Sequence, residues 1–248
     1  LSPTFLDHFS KVSRGYAASR PTYPDELFSL LARKVPGREA AWDCATGNGQ
    51  AALGLARHFA YVEATDASGQ QIKSAVEALN VRYSVQPAEA TSFPAAHFDA
   101  VCVAQALHWF DLDRFYAEVK RVLKPRGILL VVGYTWTHVT PELDSAVKHA
   151  ILDPLRALWP KQSSILSSGY RDIAFPFEPV ELPPLAIEMD WTLDQFLAYI
   201  ATWTALRKRL ESEPEFLERA RPALAEAWGG EERRKVSMPL HVRCGRRA

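Results

Sequence analysis

The sequence is short of the features that would tie it to several classes of protein. It has three cysteines in 248 residues, Cys44, Cys102 and Cys244, with no Cys-x-x-Cys spacing. Neither a disulfide framework nor a zinc knuckle is therefore expected, and no metal is. No apolar run reaches the roughly 18 residues of a membrane span. The first twenty residues mix charges with aromatics and do not form the apolar stretch of a signal peptide. An excess of one charge is also missing, since 29 Lys and Arg balance 29 Asp and Glu. That argues against a nucleic acid or an anionic membrane as partner. Internal repeats and low-complexity tracts are absent. The remaining composition, 48% hydrophobic and 23% charged, is that of a globular chain. One large domain, or one domain with an insertion, is expected, and a reducing cytoplasm is the default location.

Short apolar runs alternate with helix-periodic stretches from about residue 40 to 134, the pattern of βα units on a parallel sheet. Ala40–Cys44, Tyr61–Thr65, Val81–Gln86, Ala100–Ala104 and Ile128–Val132 read as strands. A helix is predicted over Gly47–Phe59. Another begins at a Ser68/Gln71 capping box, with Ile72, Ala75, Val76 and Leu79 as its buried stripe. A third, capped by Asp111, buries Leu112, Phe115, Val119 and Val122 and stops at Lys124-Pro125-Arg126-Gly127. Residues 141–159 look helical, and 160–184 read as a long connection. Thr192 and Gln195 form a second capping box, and Val236–Val242 reads as a closing strand. The segments are assigned as 1–35, an N-terminal segment; 36–134, the core; 135–234, a helical elaboration with a returning sheet strand; and 235–248, a closing strand and basic tail.

The strongest local signal is Trp42-Asp43-Cys44-Ala45-Thr46-Gly47-Asn48-Gly49-Gln50, where a strand enters a glycine turn and then a helix. Glycines there let a backbone approach a ligand and aim helix amides at it. With Ala52, the same residues also fit the phosphate loop of dinucleotide folds. Asp43 at the strand end would repel a pyrophosphate and suits a cation. Asp66, 17 residues after Gly49 and ending the next strand, suits ribose hydroxyls. A ribose-bearing, positively charged ligand without phosphate fits this pair, and S-adenosylmethionine meets that description.

On these residues the chain resembles the class I S-adenosylmethionine-dependent methyltransferases, and within them the group similar to trans-aconitate methyltransferase. Asp43, Gly47 and Gly49 match the family's first loop, with Ala45 in place of its first glycine. Ala104-Gln105-Ala106-Leu107-His108-Trp109-Phe110 resembles the segment after the fourth strand, and Arg20-Pro21-x-Tyr23-Pro24 the N-terminal motif. The resemblance implies a Rossmann-like, doubly wound sheet of seven mostly parallel strands, the last antiparallel, with helices on both faces and a helical cover. It implies cofactor contacts from Asp43, Ala45, Gly47, Asn48, Gly49, Asp66 and Ala67. Ala88 and Glu89 would lie at the adenine and Ala104 and Gln105 at the methionine part. Pro87 stands where the family has an acidic residue for the adenine amino group.

The acceptor would be a small molecule met by Tyr16, Arg20, Tyr23, Trp109, Tyr134 and Trp136, with Arg20 placed to clamp a carboxylate. His108 is the candidate base for a hydroxyl or amine acceptor, and an orienting donor for a carboxylate. Two alternatives stay open: an NAD(P)-dependent oxidoreductase using Gly47, Gly49 and Ala52, and a non-catalytic S-adenosylmethionine-binding protein.

Overall fold

A computed structural model describes residues 21–160 and 162–248. The chain forms two compact units. The first comprises Thr22–Thr135, Ser164–Ala186 and Pro239–Ala248, and the second includes Trp136–Ser163 and Ile187–Met238. In chain order the strands are β1 Ala40–Cys44, β2 Tyr61–Asp66, β3 Val81–Val85, β4 Phe98–Ala104, β5 Leu123–Gly133, β6 Glu178–Pro179, β7 Ala186–Trp191, β8 Arg234–Pro239 and β9 His241–Arg246.

Seven strands make one sheet in the order β3-β2-β1-β4-β5-β9-β6. β1 through β5 pair in parallel, while β9 runs antiparallel to both its neighbours. Order reverses between β1 and β4, which puts a crevice at their carboxyl ends. Burial on both faces explains why β1, β4 and β5 read as nearly continuous apolar runs. One face packs Trp42, Val101, Val103, Leu129 and Val131 with Phe115, Val119 and Val122 of helix Leu112–Val122. The opposite face packs Ala41, Cys102, Ile128 and Leu130 with helices Asp25–Lys34 and Gln50–Ala56.

Three expectations need correction. Helix Gln50–Ala56 is shorter than the predicted Gly47–Phe59, because Gly47 and Gly49 have φ of 57° and 90°, which no α-helix accommodates. The helix after β2 is only Gly69–Lys73, so its predicted stripe does not form; Val76 and Leu79 are 53% and 110% exposed. Its capping box is half made. Ser68 Oγ accepts from the Gln71 amide, but the Ser68 amide donates to Asp66 Oδ1 at 2.8 Å. Finally, the single strand predicted over Val236–Val242 is two, β8 ending at Pro239 and β9 starting at His241, in different sheets.

In the second unit, β7 and β8 form a two-stranded sheet. The predicted 141–159 helix is α-helical over Pro141–Val147 and continues as a π-turn, Lys148–Leu152. Leu143, Val147, Ile151 and Leu155 stay buried through it. The Thr192/Gln195 capping box is complete at the start of helix Leu193–Ile200. The connection over 160–184 contains a short helix, Ser163–Ser167, and β6.

Candidate functional site

The carboxyl ends of β1, β2 and β4 collect most of the residues singled out from the sequence. β1 delivers Asp43 into full burial. Its Oδ2 accepts from Thr46 Oγ1 at 2.5 Å, while Oδ1 has no partner among the described residues. Burial pushes its pKa up to about 7, opposed by hydrogen bonds from Thr46 and the Ala52 amide and reinforced by the charge of Asp66.

The loop that follows is held in left-handed backbone. Ala45 has φ 57°, like Gly47, and Gly49 has φ 90°. Ala45 thus keeps the conformation that a glycine adopts without steric cost. A Cβ on Gly47 would meet nothing within 4 Å, whereas one on Gly49 would lie 2.3 Å from Tyr83 Oη. Gly47 faces open space, and Gly49 admits the Tyr83 phenol. Tyr83 is a residue the sequence reading missed. Its hydroxyl donates to Val76 O at 2.8 Å, and the Val76 amide donates to Asn48 O at 3.2 Å. The 74–80 turn is thereby fastened to the loop.

Asp66 closes the other side. Its Oδ2 accepts from the Gly47 amide at 3.0 Å and its Oδ1 from Ser68. Each oxygen retains a lone pair for a hydroxyl. Ala67 is exposed. Beyond β3, Ala88 is buried, and Glu89 Oε1 accepts from the Asp111 amide at 3.1 Å, ahead of helix Leu112–Val122.

Past Ala104, at the end of β4, Gln105 again has a left-handed φ of 57°. Its Nε2 donates to Tyr134 O at 2.9 Å and its Oε1 is buried without a partner. His108 lies on a 3₁₀ turn, Leu107–Trp109. Its Nδ1 is buried and unpartnered, and burial lowers its pKa, so the ring is neutral at pH 7. Trp109 is 58% exposed. Tyr23 and Tyr134 meet with ring centroids 6.1 Å apart. Burial first, then the nearby Tyr134, Cys102, Tyr170 and Asp43, raise the Tyr23 phenol well above its ordinary value.

Two predicted residues, Tyr16 and Arg20, lie outside the described residues. Trp136 belongs to the second unit, where it packs edge-on to Trp159 and Trp203 at 5.3 and 5.6 Å. No group of three or more His, Cys, Asp or Glu capable of holding a metal occurs among the described residues. No helix among them is long and apolar enough to cross a membrane.

Comparison with known proteins agrees with this geometry. Residues 42–131, from within β1 to within β5, match a family profile described as a methyltransferase domain. A provisionally named methyltransferase of Dictyostelium discoideum is 32% identical over 208 residues, covering 82% of this chain and 79% of that protein. A solved structure, provisionally titled a type II methyltransferase from Anaeromyxobacter dehalogenans, superimposes with a TM-score of 0.87. It is 43% identical, over 92% of this chain and 97% of that one. CRG1 of Saccharomyces cerevisiae, provisionally named an S-adenosylmethionine-dependent methyltransferase, is 27% identical over 139 residues, 52% of this chain and 46% of that protein. The doubly wound sheet, with Asp43 and Asp66 at the carboxyl ends of β1 and β2, has the architecture of an α/β enzyme. The chain belongs to the class I S-adenosylmethionine-dependent methyltransferases, and the oxidoreductase alternative falls.

Proposed function

We propose that this enzyme moves a methyl group from S-adenosylmethionine to an oxygen atom of a small molecule, with a carboxylate as the favoured acceptor. The observation that carries the donor assignment is Asp43: a buried carboxylate, one oxygen unpartnered, beside an open glycine loop. Such a carboxylate suits the cationic methionine end of S-adenosylmethionine. In this reading Asp43, Ala45, Gly47, Asn48 and Gly49 hold the methionine end of the donor, and Gln105 Oε1 accepts from its ammonium group. Asp66 takes the ribose hydroxyls, and Ala67, Ala88 and Glu89 border the adenine.

When bound, the donor supplies a methyl group on a sulfonium that leaves without acid assistance. What the protein adds is alignment and exclusion of water, together worth roughly 7–11 kcal/mol of barrier in a well-oriented site. In this reading Tyr23, His108, Trp109 and Tyr134 border the acceptor; Tyr16 and Arg20, assigned to it from the sequence, lie outside the described residues. Trp136, assigned to the acceptor from the sequence, belongs to the second unit. A carboxylate is ionised at neutral pH and needs no base, so neutral His108 serves as a donor that orients it.

The test is calorimetric titration with S-adenosylhomocysteine, S-adenosylmethionine and NADH, repeated on Asp66→Ala. Micromolar binding of the two sulfur nucleosides, lost in the variant and absent for NADH, is expected. Binding of NADH alone would overturn the assignment.

A further inference from the structure

Tyr170 stands outside every motif above, yet it carries two unfavourable features at once. It follows helix Ser163–Ser167 through Gly169, and the pair adopts successive left-handed conformations, φ 66° and 60°. For a bulky side chain that backbone is an outlier. It is enforced from both sides: the Tyr170 amide donates to Ile165 O at 2.9 Å, and the Arg243 guanidinium donates to Tyr170 O. The side chain is fully buried, and its hydroxyl has no hydrogen-bond partner among the described residues. A phenylalanine would fill the space without the polar penalty. Strain and an orphaned donor at one residue point to a function served there.

Its surroundings say which. A Cβ on Gly133 would lie 3.0 Å from Tyr170 Oη, so the hydroxyl sits against the last residue of β5, at the ligand-binding end of the sheet. The His108 ring, on the turn after β4, lies nearly parallel to the Tyr170 ring, 28° and 6.5 Å between centroids. His108 Nδ1 is the second orphaned polar atom there. Burial raises the pKa of this phenol, keeping it a donor.

We propose that Tyr170 binds the methyl acceptor, its phenol donating to one oxygen of a carboxylate while the other oxygen receives the methyl group, with His108 as the companion donor. Tyr170 Oη and His108 Nδ1 are both buried, so hydrogen bonds from them to an anionic oxygen would meet little competition from solvent. The bond made is oxygen to methyl carbon. The bond broken is methyl carbon to sulfur, whose electron pair stays on sulfur, and the carboxylate charge is neutralised as the ester forms. This inference rests on the methyl-transfer reading above.

The experiment compares wild type, Tyr170→Phe and Tyr116→Phe. Tyr116 is a second buried, unpartnered phenol, packed in an apolar cluster with Phe175 and Phe177. Transfer from methyl-labelled S-adenosylmethionine is followed with a set of short aliphatic mono-, di- and tricarboxylic acids and benzoate, alongside S-adenosylhomocysteine affinity. Tyr170→Phe should raise the acceptor KM by about 10- to 100-fold, leave S-adenosylhomocysteine affinity and the melting temperature intact, and differ from an unaffected Tyr116→Phe. An unchanged KM, an equal effect of Tyr116→Phe, or no transfer to any acid despite intact nucleoside binding would each overturn it. Absence of nucleoside binding in the wild type would instead remove the donor assignment beneath it.

Discussion

Asp43 sets stability against binding, and replacing it by asparagine measures both. Burial raises its pKa from 3.8 to about 7. The folded chain therefore keeps a proton that the unfolded chain loses near pH 4. Stability falls as pH rises from about 4 to about 7 and levels off above. The gap of about three pH units corresponds to on the order of 4 kcal/mol at pH 8, and to about 2 kcal/mol at pH 5. Asp43→Asn removes that titration and still offers Thr46 an oxygen. The variant should be more stable than wild type, with the difference growing by about 2–3 kcal/mol between pH 5 and pH 8. Urea denaturation of both proteins at the two pH values measures it. Binding should move the other way, because the cationic donor requires the ionised carboxylate. Wild-type affinity for S-adenosylmethionine should fall about 10-fold from pH 8 to pH 6, and Asp43→Asn should bind weakly without that dependence. Denaturation differences that stay constant with pH would refute the reasoning.

The remaining predictions concern the loop, the imidazole and the core. Gly49→Ala meets Tyr83 Oη at 2.3 Å on a backbone with φ 90°, and should cost about 2–4 kcal/mol. Gly49→Ala combined with Tyr83→Phe should recover part of that in thermal melts. His108→Gln retains an amide donor, so transfer to a carboxylate should change little, whereas a hydroxyl acceptor would lose about 100-fold in rate. Burial alone would raise the Glu118 pKa, but hydrogen bonds from Arg121 and Thr91 outweigh it and hold it at about 2. That stabilisation is complete above about pH 4.5 and is lost as pH falls toward 2, about 3 kcal/mol in all. Acid titration of Glu118→Gln should show a correspondingly shallower loss.

Which of these features could be read from the chain depended on whether local chemistry or distant contacts decided them. β1, β2, β4 and β5 were legible because a buried parallel strand announces itself as an apolar run. Asp111 and Thr192 marked helix starts because a cap depends on residues only three apart. The stripe Ile72, Ala75, Val76 and Leu79 had the right period, but Asp66 took the Ser68 amide and the chain turned at Ser74. Tyr170 carried no signal, since its meaning comes from Gly133 and His108, both far away in sequence.

The same contrast separates scaffold from site. Glu118 is nearly buried, and its carboxylate receives hydrogen bonds from the Thr91 amide and hydroxyl and from Arg121. Its partners all belong to the fold itself, and the group stabilises. Asp43, Gln105, His108 and Tyr170 each keep a buried polar atom without a partner, and Ala45, Gln105 and Tyr170 hold left-handed backbone that their side chains disfavour. Smaller or apolar residues at the ends of β1, β4 and β5 would remove these costs. A cationic donor on Asp43 and an anionic acceptor on Tyr170 and His108 would offset them.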